Sequence, residues 1–253
     1  TQVYTLAGRG THTLTSAGKT WNKNFIFNSP AGKYSLGDNL TISNASITFY
    51  GNEFDAVSYD VSALSFTDAG TVARTLKMGS GTWTMSYGTS APFTLSSNLL
   101  TFDAGTSLLK FTGALTLNNM TVSVQNRTFY NFENATSGTY ALVIRGGPTF
   151  NQFKVNAGSK QKFYRSETVT ATTWLLTGTS GSPIELASDT TTAATIAKAG
   201  GGTVTADYAT ITYLTGTPSD TWYATNSTDG GNNTGWTFSA PPAGTPKIMG
   251  IED

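Results

Sequence analysis

Residues 75–112, TLKMGSGTWTMSYGTSAPFTLSSNLLTFDAGTSLLKFT, decide how the whole chain reads. Trp83, Met85 and Tyr87 alternate with Thr82, Thr84 and Ser86. Phe93 and Leu95 flank Thr94, Leu100 and Phe102 flank Thr101, and Leu109 and Phe111 flank Lys110. Strict alternation sends one set of side chains to a buried face and the other to water, the two-residue period of a strand. The outward set is mostly Thr and Ser, and β-branched Thr suits a pleated surface while staying wettable. Gly79-Ser80-Gly81, Gly88, Pro92, Gly105 and Gly113 cut the runs as turn formers.

The same strand–turn unit recurs outside this stretch. Strand patterns fall in residues 4–27, 33–49, 57–66, 114–125, 127–132, 139–146, 149–158, 160–165, 168–178, 183–188, 194–200, 202–214 and 235–238. Residues 190–198 alone admit a helical turn and are read as strand. Ala-Gly pairs end strands at Gly18, Gly32, Gly70, Gly105, Gly158 and Gly200, where glycine is expected to supply positive φ. Their uneven spacing excludes a fixed-length repeat and suits a β-solenoid with irregular coil lengths, each coil stacked on the last. Asn39, Asn44, Asn118, Asn119, Asn126 and Asn156 are expected either to stack as ladders in such a coil or to serve as ordinary turn residues. A β-sandwich or jelly roll is the alternative all-β fold. It should show hairpin dipeptides, and Asp229-Gly230 is the only one in the chain.

Residues 1–238 therefore read as one solenoid body. Trp222, Trp236 and Phe238 are placed to cover its far end, since solenoids need a cap. Residues 239–253, SAPPAGTPKIMGIED, carry no core pattern and read as an extended arm. Pro241, Pro242, Lys247, Ile248, Met249 and Ile251 of that arm are the expected partner-binding residues.

Composition narrows the function. Of 253 residues only 12% are charged, against about 25% in average proteins, and 38% are hydrophobic, with formal net charge zero. Nucleic-acid binding needs clustered Lys and Arg. The nearest group, Lys154, Lys160, Lys162 and Arg165, reads as solvated strand-edge charge. Without cysteine, disulfides and thiolate metal sites are excluded and the redox compartment stays open. No run approaches the roughly 20 apolar residues of a membrane span, and no signal-peptide pattern precedes the first strand.

Catalytic chemistry finds little footing. Carboxylates are scattered: Glu53 and Asp55 share a strand face as solvated charges, and Asp60, Asp68 and Asp103 would need to align across coils to form a cluster. His12, the sole histidine, is placed on an outward phase with no triad or metal set around it. Asp229-Gly230-Gly231-Asn232-Asn233 offers oxygen atoms but lacks the second acid and closing Glu of a calcium loop, so it reads as a structural turn. Neither a metal nor a cofactor is expected. Tyr50, Tyr164, Trp174 and Tyr213 are the aromatic candidates for glycan contact. Asn-x-Ser/Thr sequons at Asn39, Asn44, Asn119, Asn126, Asn134, Asn226 and Asn232 matter only after passage through a eukaryotic secretory pathway.

TLKMGSGTWTMS, LLTFDAGTSLLKFTG, TFNQFKVNAGSKQKF, TWLLTGTSGSPIELAS and above all the closing TWYATNSTDGGNNTGWTF resemble a family of right-handed parallel β-helix proteins of tailed-phage and environmental genomes. The resemblance spans about residues 4–238. It implies a non-enzymatic structural protein on a virion surface, as a capsid decoration or tail-fibre element. Its implied partners are other virion proteins or copies of itself in a homo-oligomer, with a host-surface glycan a further possible ligand. It carries over no catalytic residue. The alternative is a bacterial cell-surface adhesin or glycan-binding module.

Overall fold

The computed structural model describes residues 2–86, 91–95, 97–115 and 120–242. The chain is a right-handed parallel β-helix of about ten coils. The first coil is β1 (Val3–Leu6), β2 (Gly10–Leu14) and β3 (Thr20–Trp21), and the second is β4 (Asn24–Phe27), β5 (Gly32–Leu36) and β6 (Leu40–Ile42). The next three are β7 (Ile47–Phe49), β8 (Glu53–Asp55) and β9 (Val61–Ala63); β10 (Phe66–Asp68), β11 (Arg74–Lys77) and β12 (Thr82–Met85); β13 (Phe93–Leu95), β14 (Leu100–Asp103) and β15 (Leu108–Leu115). Coils six to eight carry two strands each: β16 (Met120–Ser123) and β17 (Thr128–Gly138), β18 (Leu142–Arg145) and β19 (Thr149–Val155), β20 (Lys160–Phe163) and β21 (Thr168–Thr177). Three strands return in β22 (Ile184–Ser188), β23 (Ala194–Lys198) and β24 (Val204–Asp207), and again in β25 (Ala209–Thr212), β26 (Leu214–Thr217) and β27 (Trp222–Thr225). The short β28 (Thr228–Asp229) and β29 (Trp236–Thr237) close the body.

These strands stack into three walls. One sheet of 11 strands runs from β1 to β28, a second of 5 from β2 to β14, and a third of 13 from β3 to β29. Pairings between strands are parallel throughout, for example Val3 with Asn24, Leu109 with Phe132 and Thr210 with Thr228. Among the described residues the one antiparallel contact is the isolated bridge between Thr179 and Ser182. That excludes the sandwich. Asp229-Gly230 is no hairpin, because Asp229 pairs parallel with Ile211. The irregular coil lengths are real: the register advances 29 residues from Phe93 to Val122 and 18 from Ile211 to Asp229. Residues 194–198 are strand.

In-register stacking puts like on like about 4.8 Å apart inside the body. Trp83, Met85, Phe93, Leu95, Leu109 and Phe111 are buried as the alternation requires. Tyr87 lies outside the described residues. Aromatic rings pile along the axis: Phe27 on Phe54 at 4.4 Å, Phe66 on Phe93 at 5.5 Å, Phe132 on Phe153 at 4.4 Å. Trp222 is buried, and its ring lies 5.1 Å from Trp236, which with Phe238 covers the last coil.

Two local expectations need correction and a third is narrowed. Only four of the six Ala-Gly glycines have positive φ: Gly18, Gly105, Gly158 and Gly200. Gly32 and Gly70 are there for space, since a Cβ on Gly32 would strike the Gly8 carbonyl and one on Gly70 would lie 2.8 Å from the Arg74 guanidinium. Asn39, Asn44, Asn126 and Asn156 make no bond to one another and take the other expected use, at turns and strand ends. Asn118 and Asn119 fall outside the described residues. The observed Asn–Asn bond is Asn151 to Asn131, 3.2 Å, on the outside of the bend in β17 and β19. Finally, the strand predicted over 127–132 runs on to Gly138.

Candidate functional site

A broad hollow arises where the wall changes construction. In coil five, residues 97–107 protrude as a corner carrying β14. In coil six the chain crosses from β16 to β17 through Val124-Gln125-Asn126-Arg127, and in coil seven from β18 to β19 through Gly146-Gly147-Pro148. The shortened corners leave an open notch of about 650 Å³ lined by Asn98, Gln125, Asn126, Gly146, Gly147, Glu167, Thr168 and Thr170. Two adjacent corner residues on each of two coils have positive φ: Gln125 at 37° and Asn126 at 50°, Gly146 at 100° and Gly147 at 58°. Asn tolerates this region; Gln does so at a cost. Gly147 forms the floor, where a Cβ would lie 2.8 Å from Asn126 Oδ1 and 3.3 Å from the Thr168 carbonyl. Glu167 reaches across one coil, its Oε2 accepting the Gly146 N–H at 2.5 Å. Below the notch, Arg127 spans back to coil five and donates to the Leu100 and Ser97 carbonyls at 2.9 and 2.7 Å. Glu167 is the only ionisable group among the described lining residues. One carboxylate bound to a backbone amide is not an acid/base pair. Amides and hydroxyls at this spacing suit hydrogen bonds to a neutral, hydroxyl-rich ligand.

Elsewhere the carboxylates stand in columns with lysines. On the second sheet, Lys33 and Lys77 flank Glu53 at 3.2 and 2.9 Å, and Lys77 lies 3.8 Å from Asp55. The Lys77 hydrogen bond leads the causes that hold the Glu53 carboxyl below its usual range, and the same bond raises Lys77. On the third sheet Lys110, Glu133 and Lys154 occupy one register position, with contacts of 3.5 and 3.4 Å. Burial pushes the Glu133 carboxyl up. The Asn156 amide at 2.8 Å and the two lysines outweigh that and leave it lowered. Lys160 pairs with Glu185 and Arg165 with Asp189. Lys154, Lys160 and Lys162 therefore sit within parallel ladders and not at sheet edges, and Arg165 lies in the turn after β20. Among the described residues no three His, Cys, Asp or Glu side chains are grouped to hold a metal.

Other expected positions disperse. Asp60 lies in the turn before β9, Asp68 ends β10 in the first sheet and Asp103 ends β14 in the second, so they do not align. Asp68 is instead buried against Arg74, with Nε 2.5 Å from Oδ1 and both side chains fully enclosed. His12 points inward, on the same strand phase as Leu14, and stacks on Tyr34 at 5.2 Å. Two-residue parity alone required that, and the outward placement is wrong. Asp229 Oδ1 accepts from Gly231 N–H and Asn233 Nδ2, so the loop's own donors use that oxygen. Trp174 is core, its Nε1 donating to the Ala197 carbonyl. Tyr50 is exposed and Tyr164 lies between the Arg145 and Arg165 guanidiniums at 4.4 and 4.9 Å. Tyr213 lines a separate hollow with Lys162 and Glu185. Of the sequons, Asn134 is fully buried. Pro241 is half-buried and Pro242 exposed; Lys247, Ile248, Met249 and Ile251 lie outside the described residues. Sequence reasoning missed the notch, though four residues between β16 and β17 are too few for the corner strand of earlier coils.

No family model, no curated protein and no solved structure matches the chain. Among the described residues no helix is long and apolar enough to cross a membrane.

Proposed function

We propose that this β-helix is a non-enzymatic structural protein of a tailed-phage virion surface, a capsid decoration or tail-fibre element. It joins other virion proteins or copies of itself partly through the arm from Ser239 to Asp253. One observation supports the structural reading above others: carboxylates that would serve catalysis are neutralised in register by lysines, as in the Lys110–Glu133–Lys154 column. Such columns brace neighbouring coils and hold their own carboxylates in ion pairs. The virion setting rests on the resemblance of TWYATNSTDGGNNTGWTF and the strand units. Deleting residues 239–253 tests the attachment. The body should keep its far-UV circular dichroism and melting behaviour while incorporation into particles is lost; unchanged incorporation would sink the reading.

A second reading, a surface glycan-binding module, is favoured by the notch. It requires saccharide binding by the isolated body, lost on Gly147→Val, which would fill the floor. A glycan array with no signal for the intact chain counts against it.

A further inference from the structure

The formal net charge of zero hides a polar rod. Residues 1–37 contain Arg9, Lys19, Lys23 and Lys33 and no acidic residue. Residues 199–242 contain Asp207, Asp220 and Asp229 and no Lys or Arg, and the arm adds Lys247, Glu252 and Asp253. The coil order turns this sequence asymmetry into a spatial one, because the first set lies on coils one and two and the second on the last coils; coil two also carries Asp38, bound to the Ser16 and Gly18 N–H groups, so four cations face one carboxylate at that end. Lys33 is taken by Glu53. Arg9, Lys19 and Lys23 have no carboxylate within 4.0 Å among the described residues, and neither Asp207, Asp220 nor Asp229 has a cationic partner there.

The two end faces also carry unused backbone and apolar surface. β1, β2 and β3 each pair on one side only, with β4, β5 and β6. At this end Val3 and Tyr4 are exposed, and Leu6, Leu14 and Trp21 are only partly covered. At the other end, among the described residues, β28 and β29 pair on one side only, and Trp236 and Phe238 are partly covered.

We infer that the body binds a second copy of itself end to end, the basic β1–β3 face of one chain against the acidic last-coil face of the next. Head-to-tail stacking keeps the strand direction, so the joined edges meet as parallel strands, the geometry used throughout the body. Head-to-head contact would oppose like charges and is disfavoured. The contact is heterologous, so it propagates into linear rods. It rests on the charge distribution and the open edges, and does not depend on the virion reading.

The test uses the full chain, sized by sedimentation velocity and viewed by negative-stain electron microscopy. Linear rods are expected at about 0.01 M salt, where the Debye length is about 30 Å, and single bodies at about 1 M, where it is about 3 Å. Lys19→Glu with Lys23→Glu should weaken association by roughly tenfold or more. Adding Ser219→Lys and Asp220→Lys to that same chain should restore it, since every junction then pairs opposite charges again. Circular dichroism checks that each variant folds. Chains without residues 239–253 should still stack, which separates this inference from the attachment proposal. Single bodies at low salt, rods indifferent to both salt and charge reversal, or particles joined through like ends would each overturn it.

Discussion

Coils one to five and coils six to eight turn the same corners by different means. In the early coils three short strands are separated by turns whose orphan backbone groups are met by side chains of an adjacent coil. Asp38 accepts the Ser16 N–H at 2.6 Å, Asn39 Oδ1 the Asp60 N–H at 2.9 Å, and Asp60 Oδ1 the Thr82 N–H at 2.7 Å. In coils six to eight two walls fuse into the long strands β17, β19 and β21, which bend without a turn. The inward phase slips by one residue at the bend, from Phe129 to Phe132, from Phe150 to Phe153 and from Ala171 to Trp174. Next to the bend a buried polar cluster replaces the surface caps. Asn134 Nδ2 donates to the Lys160 carbonyl and Gln161 Oε1, its Oδ1 accepts from Thr136 N–H and Oγ1, and Gln161 donates on to the Leu142 carbonyl. A parallel solenoid can thus satisfy its corners from outside, one coil at a time, or from inside, with several coils sharing one network.

The sharpest break of this comparison should come from the aromatic stack in the long strands. Phe132→Ala removes a ring stacked on Phe153 at 4.4 Å, and chemical denaturation should show a loss of about 3–5 kcal/mol. In the early coils Arg74→Met leaves Asp68 buried without its cation and should cost about 3–5 kcal/mol. Replacing Asp68 by Leu as well should recover most of that loss, a double-mutant cycle that fails if the pair itself were the stabilising element. Asn134→Ala orphans several buried partners at once and should lower stability by about 1–3 kcal/mol. Asp60→Ala removes one outside cap and should cost about 1 kcal/mol, read as a smaller fall in melting temperature. If Asp60→Ala proved the worse of the two, the contrast between inside and outside corners would be lost.

The smallest effects belong to the charge columns. Lys33 and Lys77 are substantially exposed, so Glu53→Gln should cost under about 1 kcal/mol. Acid titration adds a signed check. Asp38, Glu53 and Glu133 have lowered carboxyl values relative to 3.8, 4.5 and 4.5. Their contributions are present above those values and disappear as pH falls through the lowered ones. Lys77, raised above 10.5, contributes below that value and loses it as pH rises through the raised one. Stability measured against pH should therefore be flat near neutrality and decline in strong acid and strong base. An early decline near pH 6 would contradict this set of groups.

The wall strands were readable because alternation is local: Thr82-Trp83-Thr84-Met85 states its own inward face. Coil stacking was readable from turn chemistry and the scarcity of hairpin dipeptides. The bends were not, since Asn131 and Gln152 look like ordinary outward strand residues until a phase slip is seen on three neighbouring coils together. His12 was misplaced through a parity error, not a lack of signal. The notch was invisible because it is defined by what coils six and seven omit relative to coil five, and by Glu167 meeting Gly146 from a different coil.

Sequence by itself determined that this chain forms strands and favoured their stacking over hairpins, with a sandwich left as the alternative, because period and turn residues are properties of one segment at a time. Tertiary structure decided the register. Only the register brings Lys110, Glu133 and Lys154 into one column, encloses Asp68 with Arg74 and hides Asn134 in the interior. The reason is physical: the spacing between paired positions varies from 14 residues (Trp222 to Trp236) to 30 (Leu176 to Ala206), so sequence spacing does not fix which side chains lie about 4.8 Å apart.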